Sequence, residues 1–153
     1  MKYQSTLIAV TDMARSLKFY KEVLEQEVLL DYGGNVTLAC GVALQELAGW
    51  KQFLGTEDVQ MKSRSGELYF EEDDMDGFLK RLENMDISYV HPLETQPWGQ
   101  RCIRFYDPDG HIIEVGENMA AVTKRFRDSG MSVAEIAKAM GIAEEYVEAY
   151  LAQ

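Results

Sequence analysis

The sequence predicts an α+β fold built from two copies of a βαβββ unit, followed by a short helical segment. Strand-like apolar segments alternate with helix-like apolar stripes, and their order repeats after 62 residues. The last 36 residues carry a helical pattern only. At 153 residues with 46% hydrophobic residues, the chain is long and apolar enough to bury a core of its own.

The first copy begins with a strand at Ser5–Thr11, and Asp12 follows where a helix N-cap is expected. The next segment has apolar residues at steps of four, three and four, which predicts a helix packed on a sheet through Met13, Leu17, Tyr20 and Leu24. Three short strands joined by tight turns then complete the unit: Glu27–Tyr32, Val36–Cys40 and Val42–Leu47.

The second copy becomes visible when the register is shifted by 62 residues, which places Asp12 over Asp74 and Leu17 over Leu79. A second helical stripe follows at Met75, Phe78, Leu79 and Leu82. The remaining elements are predicted as strand Ile87–Val90, a proline-containing loop, strand Gln100–Tyr106, the turn Asp107–Gly110 and strand His111–Val115. The repeat therefore predicts a domain over residues 1–117, with modules 3–47 and 67–117 and a linker at 48–66.

Residues 118–153 are predicted as a helical appendage. One helix covers Ala120–Arg127, a second opens at a capping box formed by Ser132 and Glu135, and a third covers Ala143–Leu151 after Gly141. We describe the last two as a helical hairpin. Such short helices cannot stay folded in isolation, so we expect their apolar face to dock on the domain, on a second subunit or over the pocket.

Composition narrows the function classes. A net charge of −11 repels phosphate backbones and argues against nucleic-acid binding. No apolar stretch approaches the roughly 20 residues needed to span a bilayer, and the N-terminus lacks a signal-peptide pattern, so we expect a cytoplasmic protein without a membrane role. Cys40 and Cys102 lie in strand-like segments, and we expect both to be buried and reduced.

Two motifs carry a resemblance to a known family. Thr11–Tyr20 is similar to the first-helix motif of vicinal-oxygen-chelate domains, "D-x-x-x-S-x-x-F-Y". The closing signature of these domains is similar to three segments taken together: Gln96–Arg101, Tyr106–His111 and Ile113-Glu114. The chain thus resembles the glyoxalase/bleomycin-resistance/dioxygenase group over about residues 3 to 117. The resemblance implies half-open sheets that enclose a pocket, and pairing into homodimers. It does not name the chemistry.

The resemblance also implies four ligand positions for a metal, which fall on Ser5, Glu46, Glu67 and Glu114. None of them is a histidine, so we predict that a glyoxalase-type Zn²⁺ or Ni²⁺ site is absent. Glu46, Glu67 and Glu114 could hold a hard cation such as Mg²⁺ or Mn²⁺. Without a cation, at least one of them should have a raised pKa. The alternative is that Glu46 and Glu114 are paired with Arg or Lys and that Glu67 is partly solvated. His91 and His111 are interpreted as turn or surface residues.

Aromatic residues crowd the segments that should line the pocket. The candidate ligand-binding residues are Tyr69, Trp98, Arg101, Tyr106 and, in the linker, Trp50. Arg101 and Arg104 are both candidates for contact with an anionic group, although their alternating positions place them on opposite faces of the strand.

Three functions stay open from these residues. The first is a metal-independent protein that binds a small organic molecule. The second is a lyase, isomerase or epimerase that uses Glu46, Glu67 and Glu114 for proton transfer. The third is a ligand-sensing DNA regulator, because Gly130–Ile142 resembles the helix-turn-helix of recombinase-type domains. We disfavour the third, because the helix that would enter the groove carries Glu144, Glu145 and Glu148 and no basic residue.

Overall fold

The computed structural model describes residues 1–153, which form two compact units. The first unit contains Met1–Gly66 together with Tyr106–Ile112, and the second contains Glu67–Phe105 together with Ile113–Gln153. Each unit holds one four-stranded sheet, which confirms the predicted fold class of two βαβββ modules with C-terminal helices. No helix combines the length and the apolar character needed to cross a membrane.

The first unit has strand order β1-β4-β3-β2. β1 and β4 are parallel, whereas the β3 pairings with β4 and β2 are antiparallel. Its elements are β1 (Thr6–Val10), α1 (Met13–Leu24), β2 (Val28–Asp31), β3 (Asn35–Leu38), β4 (Val42–Glu46) and α2 (Leu47–Leu54).

The predicted stripe of α1 is only partly correct. Tyr20 and Leu24 are buried as expected, but Met13 and Leu17 are only half-buried. Ser16 is fully buried in their place. Ser16 can be buried because its hydroxyl group donates to the buried carboxylate of Asp109 over 3.3 Å.

Helix α2 was missed, because its sequence lies in the segment predicted as a linker. It follows β4 directly and ends at Gly55, which adopts the left-handed conformation (φ 66°) that suits glycine at a helix C-terminus. The prediction for Cys40 was also wrong. This residue lies in the turn between β3 and β4 and is exposed, while Cys102 is buried in a strand as predicted.

The second unit has strand order β5-β8-β7-β6, and three helices follow its sheet. Its elements are β5 (Glu67–Glu72), α3 (Met75–Leu82), β6 (Ser88–Thr95), β7 (Arg101–Tyr106), β8 (Ile112–Glu117), α4 (Met119–Asp128), α5 (Val133–Met140) and α6 (Glu144–Leu151). The stripe of α3 is confirmed, since Met75, Phe78 and Leu82 are each at most 2% exposed.

Strand β6 is longer than predicted, because it continues through Pro92 to Thr95 instead of ending at a proline-containing loop. Proline cannot donate a ladder hydrogen bond and is tolerated where one side of a strand is unpaired. β6 is an edge strand, so its outer side meets this condition.

The C-terminal helices pack on one another. Their common core contains Val122, Ile136, Ala137, Met140 and Val147. We expected the apolar face of the last two helices, which includes Val133 and Leu151, to dock on the domain, on a second subunit or over the pocket. Both residues pack against this core instead. The hairpin prediction left α4 out of the packing, and α4 is the third helix that closes the core.

Candidate functional site

Four charged or titratable side chains, one from each strand, form a row across one face of the second sheet. In strand order they are Glu67 on β5, Glu114 on β8, Arg104 on β7 and His91 on β6. We call these four residues the polar row. Two of them, Glu67 and Glu114, were predicted from the sequence.

Arg104 is the centre of the polar row. Its Nε donates to Glu67 over 2.8 Å, and its Nη2 donates to Glu114. Its Nη1 lies 3.3 Å from Nε2 of His91. One guanidinium thus bridges the two carboxyl groups. Pairing of Glu114 with a basic side chain was expected, whereas Glu67, expected to be partly solvated, is paired with the same arginine.

The two carboxyl groups of the polar row differ in their proton affinity. Burial and then the hydrogen bond to Glu67 raise the pKa of Glu114. For Glu67, the hydrogen bond from Arg104 is the main cause, and its pKa is lowered. A carboxyl group with a raised pKa beside one with a lowered pKa can give or accept a proton, which is the chemistry of a general acid or base.

Aromatic side chains lie beside the polar row on the same face. Tyr69, two positions after Glu67, is 49% exposed, and Trp98 is 38% exposed. Both contact buried Gln100, whose Nε2 donates to the Tyr69 hydroxyl over 3.0 Å and whose Oε1 accepts from the Trp98 indole over 3.1 Å. The two aromatic groups are therefore fixed through one amide while their rings stay accessible to a ligand.

Gly116 makes this arrangement of Tyr69 possible. It lies two positions after Glu114 on β8, so it shares the face of the polar row. A Cβ at this position would lie 3.0 Å from Tyr69 Cε2 and 2.8 Å from Gln100 Nε2. The missing side chain leaves the space that the tyrosine ring uses.

The opposite face of the second sheet contains a separate charge cluster, which includes Arg101. Arg101 donates to Glu117 over 2.9 Å and to Asp76 over 2.7 Å. Arg125 of α4 donates to the same Glu117 over 2.8 Å and to the Gly99 carbonyl over 2.7 Å. We call Arg101, Glu117, Asp76 and Arg125 the back cluster. The structure therefore places Arg104, and not the predicted Arg101, beside Glu67 and Glu114.

The residues of the two sequence motifs meet in the first unit and have a structural role. Asp107 accepts hydrogen bonds from the Tyr20 hydroxyl (3.1 Å) and from the backbone N–H of Asp109 (2.9 Å). Asp109 accepts from Ser16 (3.3 Å) and from Arg15 (3.0 Å). Ser16 and Tyr20 are the serine and tyrosine of the opening motif, so the closing turn is fastened to α1.

The remaining predicted residues belong to the first unit. Glu46 is exposed at the end of β4, where it lines an open cleft of about 600 Å³ with Thr11 and Lys51. Trp50 on α2 and Tyr106 at the end of β7 are half-buried. Their predicted roles in ligand binding stay predictions.

The four predicted metal positions do not fit a glyoxalase-type ion. Ser5 donates its hydroxyl to the Gly41 carbonyl over 2.6 Å, and Glu46 pairs with Val10 at the far end of the same two strands. Arg104 bridges Glu67 and Glu114, so a cation bound by these two would meet a guanidinium. No group of three or more His, Cys, Asp or Glu side chains could hold a metal ion. Proton transfer by the carboxylates stays a prediction.

The paired βαβββ modules define a class of small domains whose members are related by fold, and comparison with known families identifies the class. Residues 3–120 match the family described as a glyoxalase-like domain. The chain belongs to this family, as its two motifs predicted. The match ends near the start of α4, so most of the C-terminal helices lie beyond it.

Solved structures agree with this assignment. A protein of unknown function from Agrobacterium tumefaciens str. C58 is 38% identical with a TM-score of 0.70, and the match covers 77% of this chain and 94% of that one. A glyoxalase/bleomycin resistance protein/dioxygenase from Nocardioides is 20% identical (TM-score 0.60, coverage 76% and 83%). A lactoylglutathione lyase from Agrobacterium tumefaciens is 24% identical (TM-score 0.57, coverage 77% and 94%). The last two show the shared fold only.

Proposed function

We propose that the protein binds a small, planar organic molecule on the face of the second sheet that carries the polar row, without a glyoxalase-type metal ion. The observation that carries the proposal is the bridge from Arg104 to Glu67 and Glu114, which gives both carboxyl groups a protein counter-ion. The accessible rings of Tyr69 and Trp98 next to this bridge supply an apolar surface for stacking.

The charge of the polar row limits the ligand. Two carboxyl groups face one guanidinium, and the protein as a whole has a net charge of −11. An anionic ligand would be repelled unless it displaced a carboxylate from Arg104. Neutral or cationic planar compounds therefore fit the site best.

The metal-independent part is tested by thermal unfolding with Mn²⁺, Mg²⁺, Ni²⁺ and Zn²⁺ after chelator treatment. A ligand of the native state raises the melting temperature by mass action, so we expect no saturable rise with any of the four ions. A saturable rise that disappears in Glu67→Gln and Glu114→Gln would overturn the proposal. Glu46→Gln is the matched control on the first module, and its response shows whether Glu46 is a ligand.

The binding part is tested by the fluorescence of Trp98. The chain has two tryptophans, so Trp50→Phe leaves Trp98 as the single reporter. We expect saturable quenching by a subset of neutral or cationic aromatic compounds, and at least about tenfold weaker binding in Tyr69→Leu, since stacking on one ring is lost. Equal binding in Tyr69→Leu, or no quenching across the panel, would contradict this site.

An enzyme that moves a proton next to a carbonyl group is the second candidate, and the opposite pKa directions of Glu114 and Glu67 favour it. It predicts exchange of an acidic C–H proton of a bound carbonyl compound with D₂O. Glu114→Gln should abolish this exchange and leave binding within about threefold. Exchange that is unchanged in this variant would exclude the polar row as its source.

We also propose that the protein forms a homodimer. The edge strand β2 supports this, because Val28, Leu29 and Leu30 are 47%, 61% and 47% exposed. An apolar edge of this kind is normally covered by another chain. Light scattering should give twice the monomer mass of 17.4 kDa at micromolar concentration. Leu29→Glu should shift the protein to the monomer, and a wild-type monomer would refute the proposal.

A further inference from the structure

His91 is the member of the polar row to which the proposed function gives no role. It lies on the edge strand β6, and its side chain is 21% exposed. The imidazole Nδ1 is 2.7 Å from the carbonyl oxygen of Pro92, and Nε2 is 3.3 Å from Nη1 of Arg104. Both ring nitrogens thus have a partner of known chemistry.

These partners determine where the imidazole carries its hydrogen. A carbonyl oxygen can only accept a hydrogen bond, so Nδ1 must donate to Pro92. A guanidinium can only donate, so Nε2 must accept from Arg104. Both contacts are satisfied together by neutral histidine protonated on Nδ1.

The same contact completes the set of partners around Arg104. Its Nε donates to Glu67, its Nη2 to Glu114 and its Nη1 to His91. In the polar row, the two carboxyl groups contact the guanidinium from one side, and the imidazole contacts it from the other. Nη1 has one further acceptor, the weakly accepting Sγ of Cys102 at 3.8 Å, so His91 supplies the stronger hydrogen bond on the side of the guanidinium that faces β6.

We infer that neutral His91 is a positioning residue, which holds Arg104 in the bridge between Glu67 and Glu114, and that protonation of His91 releases Nη1. Protonation puts a hydrogen on Nε2 of His91. This hydrogen would face the hydrogens of Nη1, and two cations would come into contact. The effect on ligand binding rests on the proposed function. The position of Arg104 itself does not.

The charged groups that face His91 come from all four strands of the sheet. Arg104 on β7 contacts Nε2, Glu94 on β6 lies 3.9 Å from Nδ1, and the charges of Glu67 on β5 and Glu114 on β8 interact with the imidazole through space.

The test is an NMR measurement of the Arg104 guanidinium in the ligand-free protein labelled with ¹⁵N-arginine, with signals assigned by their loss in Arg104→Lys. Rotation about the Cζ–Nη1 bond is slow while Nη1 is hydrogen-bonded. We expect rotation to become about tenfold faster between about pH 8 and about pH 5, which corresponds to the loss of one hydrogen bond.

Two variants at position 91 separate positioning from packing. His91→Gln retains an acceptor and should show slow rotation at both pH values. His91→Phe has no acceptor and should show fast rotation at both. His111→Gln, which removes the other histidine, is the matched control and should behave like the wild type.

Equal rotation rates in the wild type and His91→Phe at about pH 8 would overturn the inference, as would a pH response that persists in His91→Gln. Neither result depends on a ligand, so failure of the inference is distinguishable from failure of the proposed function. If Tyr69→Leu fails to weaken binding while Arg104 responds as described, only the proposed function is refuted.

Discussion

Strands β7 and β8 each carry two charged residues three positions apart, and the two pairs end in different environments. An odd spacing places such residues on opposite faces of a sheet, so Arg104 and Glu114 lie in the polar row while Arg101 and Glu117 lie in the back cluster. The same two residue types on the same two strands thus form two Arg–Glu clusters, one on each face of the sheet.

The clusters differ in their balance of charge. In the back cluster, one buried carboxylate has two arginines. Burial acts to raise the pKa of Glu117, but the hydrogen bonds from Arg101 and Arg125 outweigh it and lower the pKa. In the polar row, two carboxyl groups share one arginine, and the pKa of Glu114 is raised.

This difference supports the proposed division between a structural back cluster and a polar row that binds a ligand. Glu117 is fully ionised and joins β8 to α4 through Arg125, so it fastens the C-terminal helices to the second sheet. Glu114 shares its one arginine with Glu67, and it lies on the face that carries the accessible aromatic rings. Shifted pKa values beside an accessible surface are typical of binding and catalytic sites.

The largest effect is expected from Glu117→Gln. It leaves Arg125 without a carboxylate and Arg101 with exposed Asp76 alone. We expect a loss of about 2 kcal/mol in the free energy of unfolding at pH 7, reduced from the full buried-pair value because both arginines are partly exposed. Hydrogen exchange should also become faster in α4 to α6, whose anchor is weakened.

The control for this change is Asp76→Asn in the same cluster. Asp76 is 71% exposed, so its ion pair with Arg101 should contribute less than about 0.5 kcal/mol. If the two variants lose equal stability, burial of Glu117 is not what makes the back cluster strong.

The sequence predicted much of this comparison but not its outcome. Alternation along β7 shows that Arg101 and Arg104 face opposite sides, yet it cannot show which side is open. That depends on which helices pack on the sheet. On the face of Arg101, Phe78 of α3 contacts Phe105, and Arg125 of α4, 24 residues away from Arg101 along the chain, contacts Glu117. Alternation alone could not decide between Arg101 and Arg104, and the ligand contact at Arg101 stays a prediction.

The fold was predicted more completely than the site, because apolar periodicity reports burial directly. The errors lie where a local pattern is overridden. Helix α2 has no side-chain hydrogen bond at its N-cap, so no capping signal marked its start. Ser16 interrupts the apolar stripe of α1, and its acceptor Asp109 is 93 residues away in sequence.

A smaller effect is expected from Gly116→Ala, which tests the open face without changing a charge. The added methyl group would displace Gln100 and the Tyr69 ring, so we expect a loss of about 1 kcal/mol from one weakened hydrogen bond and local repacking. Near-ultraviolet circular dichroism should change through Tyr69 and Trp98. Exchange rates in α4 should stay as in the wild type, and faster exchange there would mean that the two faces are not independent.

The smallest effect at neutral pH, and the sharpest contrast, is expected from Glu114→Gln. A carboxyl group whose pKa is raised by folding contributes stability that is complete below its unfolded pKa and is lost as the pH rises through its folded pKa. Replacement by a neutral amide removes this loss, so the stability of Glu114→Gln relative to the wild type should improve as the pH rises from about 3 to about 8.

For Glu117 the pKa is lowered by folding, so its contribution is present above the unfolded pKa and is lost as the pH falls. The stability of Glu117→Gln relative to the wild type should accordingly fall as the pH rises over the same range. Urea unfolding of the three proteins at several pH values measures both slopes. Two identical substitutions three residues apart on one strand should give slopes of opposite sign, and slopes of the same sign would show that the polar row and the back cluster do not differ in the way that their contacts indicate.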